Sequence, residues 1–174
     1  MKKKSGFTVV ELLVVLLLLG ILVVLSMGVG ESVTANSRMT GLINNFLADF
    51  SSAKLLASAE NRYVSITFSS DGRSYALQKQ TDITNFNSWT PVKTVTPFSD
   101  RVFFNTAAVS DFAVNSTGEV RLLDSSGIPD MVTPLGTINL NLFIRKGRGS
   151  SSDPIAYQRT IQIFPYGGLK VEKK

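Results

Sequence analysis

The sequence predicts an α+β protein in which a long N-terminal helix packs against a C-terminal antiparallel β-sheet or sandwich domain. Three observations predict it. Residues 7–30 contain a single charged side chain, Glu11. Apolar residues then recur at i+3/i+4 spacing as far as about residue 60, and after Asn61 the period changes from 3.6 to 2. The chain therefore divides into a basic leader at 1–6, an apolar helix at 7–30, the amphipathic half of that helix at 31–60 and a β-rich globular domain at 61–174.

The apolar run Leu12-Leu13-Val14-Val15-Leu16-Leu17-Leu18-Leu19-Gly20-Ile21-Leu22-Val23-Val24-Leu25 predicts a transmembrane segment. At 1.5 Å per residue, about 20 helical residues cross the ~30 Å hydrocarbon layer. Lys2, Lys3 and Lys4 lie only on its N-terminal side, which predicts a single pass with a cytoplasmic N-terminus and the rest of the chain outside. A cleavable secretory signal fits less well. The apolar run is too long, it carries a glutamate at its start, and Ser26-Met27-Gly28 and Val33-Thr34-Ala35 are poor cleavage sites. Gly20, Gly28 and Gly30 interrupt the helix formers. They suit either local bending or close small-residue packing in lipid, and the sequence leaves both open.

Past the apolar run, Met39, Leu42, Ile43, Phe46, Leu47, Phe50, Ala53, Leu56 and Ala57 form one apolar stripe. Asn36, Ser37, Arg38, Asn44, Asn45, Asp49 and Lys54 are expected on the opposite side. Asn61 is expected to close the helix. The strand signals begin at Tyr63-Val64-Ser65-Ile66-Thr67-Phe68 and Tyr75-Ala76-Leu77-Gln78, with Asp71-Gly72 as a hairpin turn between them. Residues 81–100 read as a looser section, broken by Asn85, Asn87, Pro91 and Pro97, with short strands near 92–95 and 101–104. A second hairpin is expected around Ser116-Thr117-Gly118, and 124–136 reads as a loop. Residues 137–145 and 155–164 form the clearest alternating pair, and a turn at Pro165-Tyr166-Gly167-Gly168 leads into a last short strand.

Composition excludes whole classes of chemistry. There is no cysteine and no histidine among the 174 residues, so disulfides, thiolate metal sites, Ser-His-Asp triads and histidine zinc sites are all ruled out. No constellation of the remaining residues suggests catalysis; no enzyme activity, cofactor or metal site is expected. The net charge of +5 hints at an anionic partner, but without the three leader lysines it falls to about +2, an ordinary value for a soluble domain.

The string Lys2-Lys3-Lys4-Ser5-Gly6-Phe7-Thr8-Val9-Val10-Glu11 resembles the signal of type IV pilins and type II secretion pseudopilins. The resemblance implies that a prepilin peptidase cuts between Gly6 and Phe7 and methylates Phe7, and that Glu11 serves subunit assembly. The chemistry agrees with that implication. A carboxylate inside an apolar span costs roughly 2.5–3.5 kcal/mol at mid-helix, so a retained one needs a function. After cleavage Phe7 would carry a new α-amino group, with Glu11 one turn along on the same helix face. That acid could neutralise its own terminus or a neighbour's; spacing leaves both open, and the resemblance implies the neighbour's.

Three further passages resemble the minor pseudopilin H and FimT-like group. They are Leu47-x-x-Phe50 through Asn61-Arg62-Tyr63-Val64-Ser65-Ile66-Thr67-Phe68, then Phe112-Ala113-Val114-Asn115-Ser116-Thr117-Gly118, and the terminal strand–Gly167-Gly168–strand. The implied partners are the prepilin peptidase, major and minor pilins or pseudopilins, and an inner-membrane assembly platform. The implied location is the bacterial inner membrane, with the C-terminal domain in the periplasm, and then a filament. Some FimT-like proteins bind DNA through a basic C-terminal element. Here Arg145, Lys146, Arg148 and Lys170 are the candidates, but the matching end, Gly168-Leu169-Lys170-Val171, lacks the family's arginines; a solvated loop and tail is favoured over a nucleic-acid site. Asp124-Ser125-Ser126-Gly127-Ile128-Pro129-Asp130 is too poor in oxygen ligands for calcium, and a surface turn is expected there.

Overall fold

The structure, a computed structural model, describes residues 8–82, 84–95, 102–105, 110–132, 136–145 and 154–173; within 25–35 it describes the helical backbone and the side chain of Thr34 alone. Helix α1 spans Val9–Glu60. Nine strands follow among the described residues: β1 Val64–Phe68, β2 Tyr75–Asp82, β3 Asn85–Val95, β4 Val102–Phe104, β5 Phe112–Val114, β6 Val120–Leu122, β7 Ile138–Arg145, β8 Ile155–Ile163 and β9 Leu169–Lys173. The chain forms two compact units, Met1–Ser37 and Arg38–Lys174.

In the first unit, helix formers continue through Gly20 and on past Gly28 and Gly30 without a break in α1. Nothing lies within 4 Å of where a Gly20 side chain would begin. The apolar side chains described here are exposed on every face of the helix, from Val9 at 76% to Val24 at 72%. A helix that is apolar all round normally belongs inside a bundle or a membrane. Among the described residues, however, no helix is long and apolar enough to cross a membrane. The apolar side chains described end at Val24, about 24 Å of helix at 1.5 Å per residue, against the ~30 Å a bilayer core demands. The predicted span over 7–30 extends beyond those side chains at both ends.

The second unit is organised by the apolar stripe of α1. Met39, Leu42, Ile43, Phe46, Phe50, Ala53 and Ala57 are buried. The Phe46 ring lies 5.4 Å from Tyr75 and 5.8 Å from Phe104, and Phe50 lies 6.3 Å from Phe112, so one helix face packs on residues from two sheets. The helix stops as predicted. Asn61 takes a left-handed conformation (φ 50°), and the Arg62 N–H reaches back to the Ala57 carbonyl at 3.1 Å. This is the pattern of a Schellman cap, which satisfies a carbonyl left over at the helix end.

Both sheets are antiparallel. One has the order β3-β2-β1-β5-β6 and the other β4-β7-β8-β9. Alternation sets their inner faces: Ile138, Leu140, Leu142 and Ile144 from β7, with Ile161 and Ile163 from β8, are buried while their strand neighbours are not. The sheets are tied by backbone bonds from Phe104 N–H to Gly72 O and from Val120 N–H to Pro165 O, both 2.8 Å. The first requires glycine. Gly72 has φ +68°, and a Cβ there would sit 2.1 Å from the Phe104 carbonyl oxygen.

Two expectations are corrected here. The supposed loose section after Thr81 is a long hairpin, with β2 continuing to Asp82 and β3 pairing with it from Asn85 to Val95. Asn85, Asn87 and Pro91 are tolerated because β3 is a sheet edge and the ladder slips at two register shifts, between Leu77/Gln78 and Gln80/Asp82. Asp49, expected on the polar side of the helix, is only 6% exposed. It is three residues past Phe46 and four before Ala53, which puts it on the buried face.

Candidate processing and assembly site

At the start of α1, Thr8 precedes the first helical residue and Glu11 is the third residue of the helix. The Glu11 N–H donates to Thr8 Oγ1 at 3.3 Å, and Glu11 Oε2 accepts from both the Thr8 N–H and the Thr8 hydroxyl, also at 3.3 Å. The first helical bond runs from Leu12 N–H to Thr8 O at 3.3 Å. This reciprocal arrangement is a capping box, in which two backbone donors at the helix start are satisfied by side chains three residues apart. The negative charge of Glu11 also lies at the positive end of the helix dipole. Thr8 is absent from the candidate residues named above, yet its Thr-x-x-Glu spacing before an apolar run is the sequence signature of this motif. Gly6 and Phe7 lie outside the described residues.

The basic candidates are not gathered in one place among the described residues. Arg145 ends β7, with its guanidinium carbon 4.8 Å above the Phe103 ring. Lys170 lies on β9, and its ammonium is 2.7 Å from Glu172. The register places Lys170 beside Gln162, which in turn faces Asn139 on β7. Arg145 lies six positions along β7 from Asn139, about 20 Å along a strand. Lys146 and Arg148 lie outside the described residues.

The second unit carries two polar features that sequence reading alone did not single out. Asp49 accepts from the Tyr75 hydroxyl at 2.8 Å and from Lys93 at 2.6 Å, joining the helix to β2 and β3. Burial, the hydrogen bond to Asp49 and that carboxylate's charge together push the Tyr75 hydroxyl well above the usual phenol range. Separately, a cleft of about 390 Å³ is lined by Phe68, Ser69, Ser110, Asp111, Asp124 and Ser125, among others. Burial pushes the Asp111 carboxyl up, while the Phe68 N–H bonded to it at 2.9 Å opposes that shift. The candidate calcium loop spends its acids internally. Asp124 Oδ1 accepts from the N–H groups of Ser126 and Ile128, and Asp130 Oδ1 from that of Val132. Among the described residues, no three His, Cys, Asp or Glu side chains are grouped to hold a metal ion.

Residues 1–27 match the family model for the prokaryotic N-terminal methylation motif. The match begins before the leader lysines and ends two residues past the apolar run, so it takes in Gly6, Phe7 and the capped helix start. It supports a type IV pilin-like protein, processed by a prepilin peptidase and assembled with other pilins. The α+β architecture, with its long N-terminal helix and antiparallel sheets, is consistent with a pilin-like fold. No curated protein and no solved structure matches the chain.

Proposed function

We propose that the chain is a minor pilin-like subunit of the pseudopilin H and FimT-like kind, made as an inner-membrane prepilin. It is cut between Gly6 and Phe7, methylated on Phe7, and built into a type II secretion pseudopilus or a type IV pilus. Its role is structural, with no catalytic step of its own. The observation that carries this reading is the methylation motif over residues 1–27, leading into an apolar helix whose lone carboxylate sits at the third helical position. The second unit supports it, since a helix stripe packed on two antiparallel sheets is consistent with a pilin-like fold.

In this role the Glu11 carboxylate neutralises the new amine of a neighbouring subunit, because a desolvated acid paired with an amine is far less costly than either alone. Glu11→Val is expected to leave membrane insertion intact and to reduce recovery of the subunit in sheared or affinity-purified filaments by at least tenfold. Recovery at the wild-type level would refute the pairing role.

The DNA-binding alternative would need clustered cations. Arg145 and Lys170, the described candidates, are about 20 Å apart along the sheet, stacked on Phe103 and paired with Glu172 respectively. DNA retention by the purified full chain that falls steeply with added salt would revive it.

A further inference from the structure

We propose that Met131 is an oxidation site: a peroxide converts its thioether to the sulfoxide, and the new oxygen accepts from the Tyr63 hydroxyl and fastens segment 123–131 to the β3-β2-β1-β5-β6 sheet.

The argument starts from a shortage of acceptors around Tyr63. Tyr63 faces Gln80 across the β1–β2 ladder: the Gln80 N–H donates to Tyr63 O at 2.9 Å, and the Tyr63 N–H to Gln80 Oε1 at 3.3 Å. Arg121 lies on the same sheet face, since it pairs with Ala113, Ala113 pairs with Ser65, and Ser65 is two residues past Tyr63. Gln80 is 2% exposed, yet its Nε2 has no hydrogen-bond partner among the described residues, and nor has the buried Arg121 Nε. Asn115 adds a further donor, directed at the phenol oxygen. The Glu119 carboxylate beside them is taken up by Arg121 and by the Asn115 amide. The Tyr63 hydroxyl donates to Met131 Sδ at 3.4 Å, and a thioether is a weak acceptor.

Met131 is placed to supply a stronger one. It is 49% exposed, whereas Met39, the other methionine whose side chain is described, is fully buried. Susceptibility to oxidation follows exposure. The sulfur gives an electron pair to one oxygen of hydrogen peroxide, the O–O bond breaks and an S–O bond forms. The second oxygen takes the first one's proton and leaves as water. The product carries a strong acceptor on an unbranched side chain with three rotatable bonds. A sulfoxide disrupts a structure when the methionine is packed in a core. Here the thioether is half exposed and already meets a hydroxyl, so the sign reverses. Trp89 Nε1–H ties the segment to β3 through the Gly127 carbonyl at 3.2 Å, and a Tyr63–sulfoxide bond adds a tie at Met131.

The test treats the purified full chain with dilute hydrogen peroxide, locates the added oxygen by peptide mass, and follows urea unfolding by Trp89 fluorescence. Met131 is expected to be oxidised at least about tenfold faster than Met39. Oxidation should raise the urea midpoint by roughly 0.5 M, the effect of one added hydrogen bond at the usual urea slope. The gain should vanish in Tyr63→Phe and in Met131→Leu, and Met131→Gln, which brings its own carbonyl oxygen, should show it without peroxide. The proposal is overturned by a midpoint that oxidation lowers or leaves unchanged, by an equal gain in Tyr63→Phe or Met131→Leu, or by Met131 reacting no faster than Met39. Should Tyr63→Phe fold too poorly to measure, equal midpoints for Met131→Gln and Met131→Leu would overturn it instead.

Discussion

Replacing Glu11 by glutamine keeps an acceptor for the Thr8 N–H but removes the charge that an amine partner would need, so the two contributions of this side chain come apart. Glu11→Gln is expected to give a processed subunit that enters filaments poorly, scored by comparing cleaved protein in membranes with cleaved protein in filaments. The same separation of charge from hydrogen bonding applies to Asp49. Asp49→Ala would strand the buried Tyr75 hydroxyl and is expected to cost about 2–3 kcal/mol. Lys93→Met should cost less than about 1 kcal/mol, because the Lys93 side chain is half exposed and its ion pair is screened by water. Both follow from urea unfolding monitored by the fluorescence of Trp89, the only tryptophan in the chain. Asp111 gives a pH signature. Its carboxyl is raised above its unfolded value, so the native state binds the proton more readily, and the contribution of Asp111 to stability is lost as pH rises through the carboxyl range. Asp111→Asn keeps an oxygen for the Phe68 N–H. Its urea midpoint should exceed that of wild type near neutral pH, with the advantage vanishing in acid; a constant difference at all pH values would contradict this.

The elements differ in how far the sequence disclosed them. The amphipathic half of α1, its Asn61 stop and the alternation in β7 and β8 were legible, because a 3.6 or 2.0 period written in large apolar residues survives packing. β3 was not. Its Asn85, Asn87 and Pro91 carry breaker chemistry, and only the edge position and the slipped register against β2 make them acceptable. Asp49 was misread because a charged residue inside a stripe looks like the solvent face until Tyr75 and Lys93, 26 and 44 residues away, are seen to reach it. At the candidate site, Glu11 stood out as a lone charge, whereas Thr8 gained meaning only once its hydroxyl was seen bonded to the Glu11 backbone. The turns make a sharper prediction. Gly72→Ala sets left-handed strain beside a backbone carbonyl that cannot yield and should cost roughly 2–4 kcal/mol. Gly118→Ala meets only the flexible Lys54 side chain, 3.3 Å away, and should cost nearer 1 kcal/mol. Equal losses in urea unfolding would show that the Phe104 backbone moves aside.

At the scale of the whole molecule, the chain presents an all-round apolar helical segment and a self-contained helix-on-two-sheets unit. Between Val9 and Val24 the described apolar side chains of the first are exposed on every face. The second buries its own helix stripe among the described residues. The methylation motif at residues 1–27 falls within the first of these units. The account as a whole therefore turns on which residue begins the mature chain. Intact-mass and N-terminal peptide spectrometry of the protein extracted from membranes of its own host tests it most directly. The account predicts a chain beginning at Phe7 and bearing one N-terminal methyl group. A terminus still at Met1, or a cut beyond the apolar run, would contradict it.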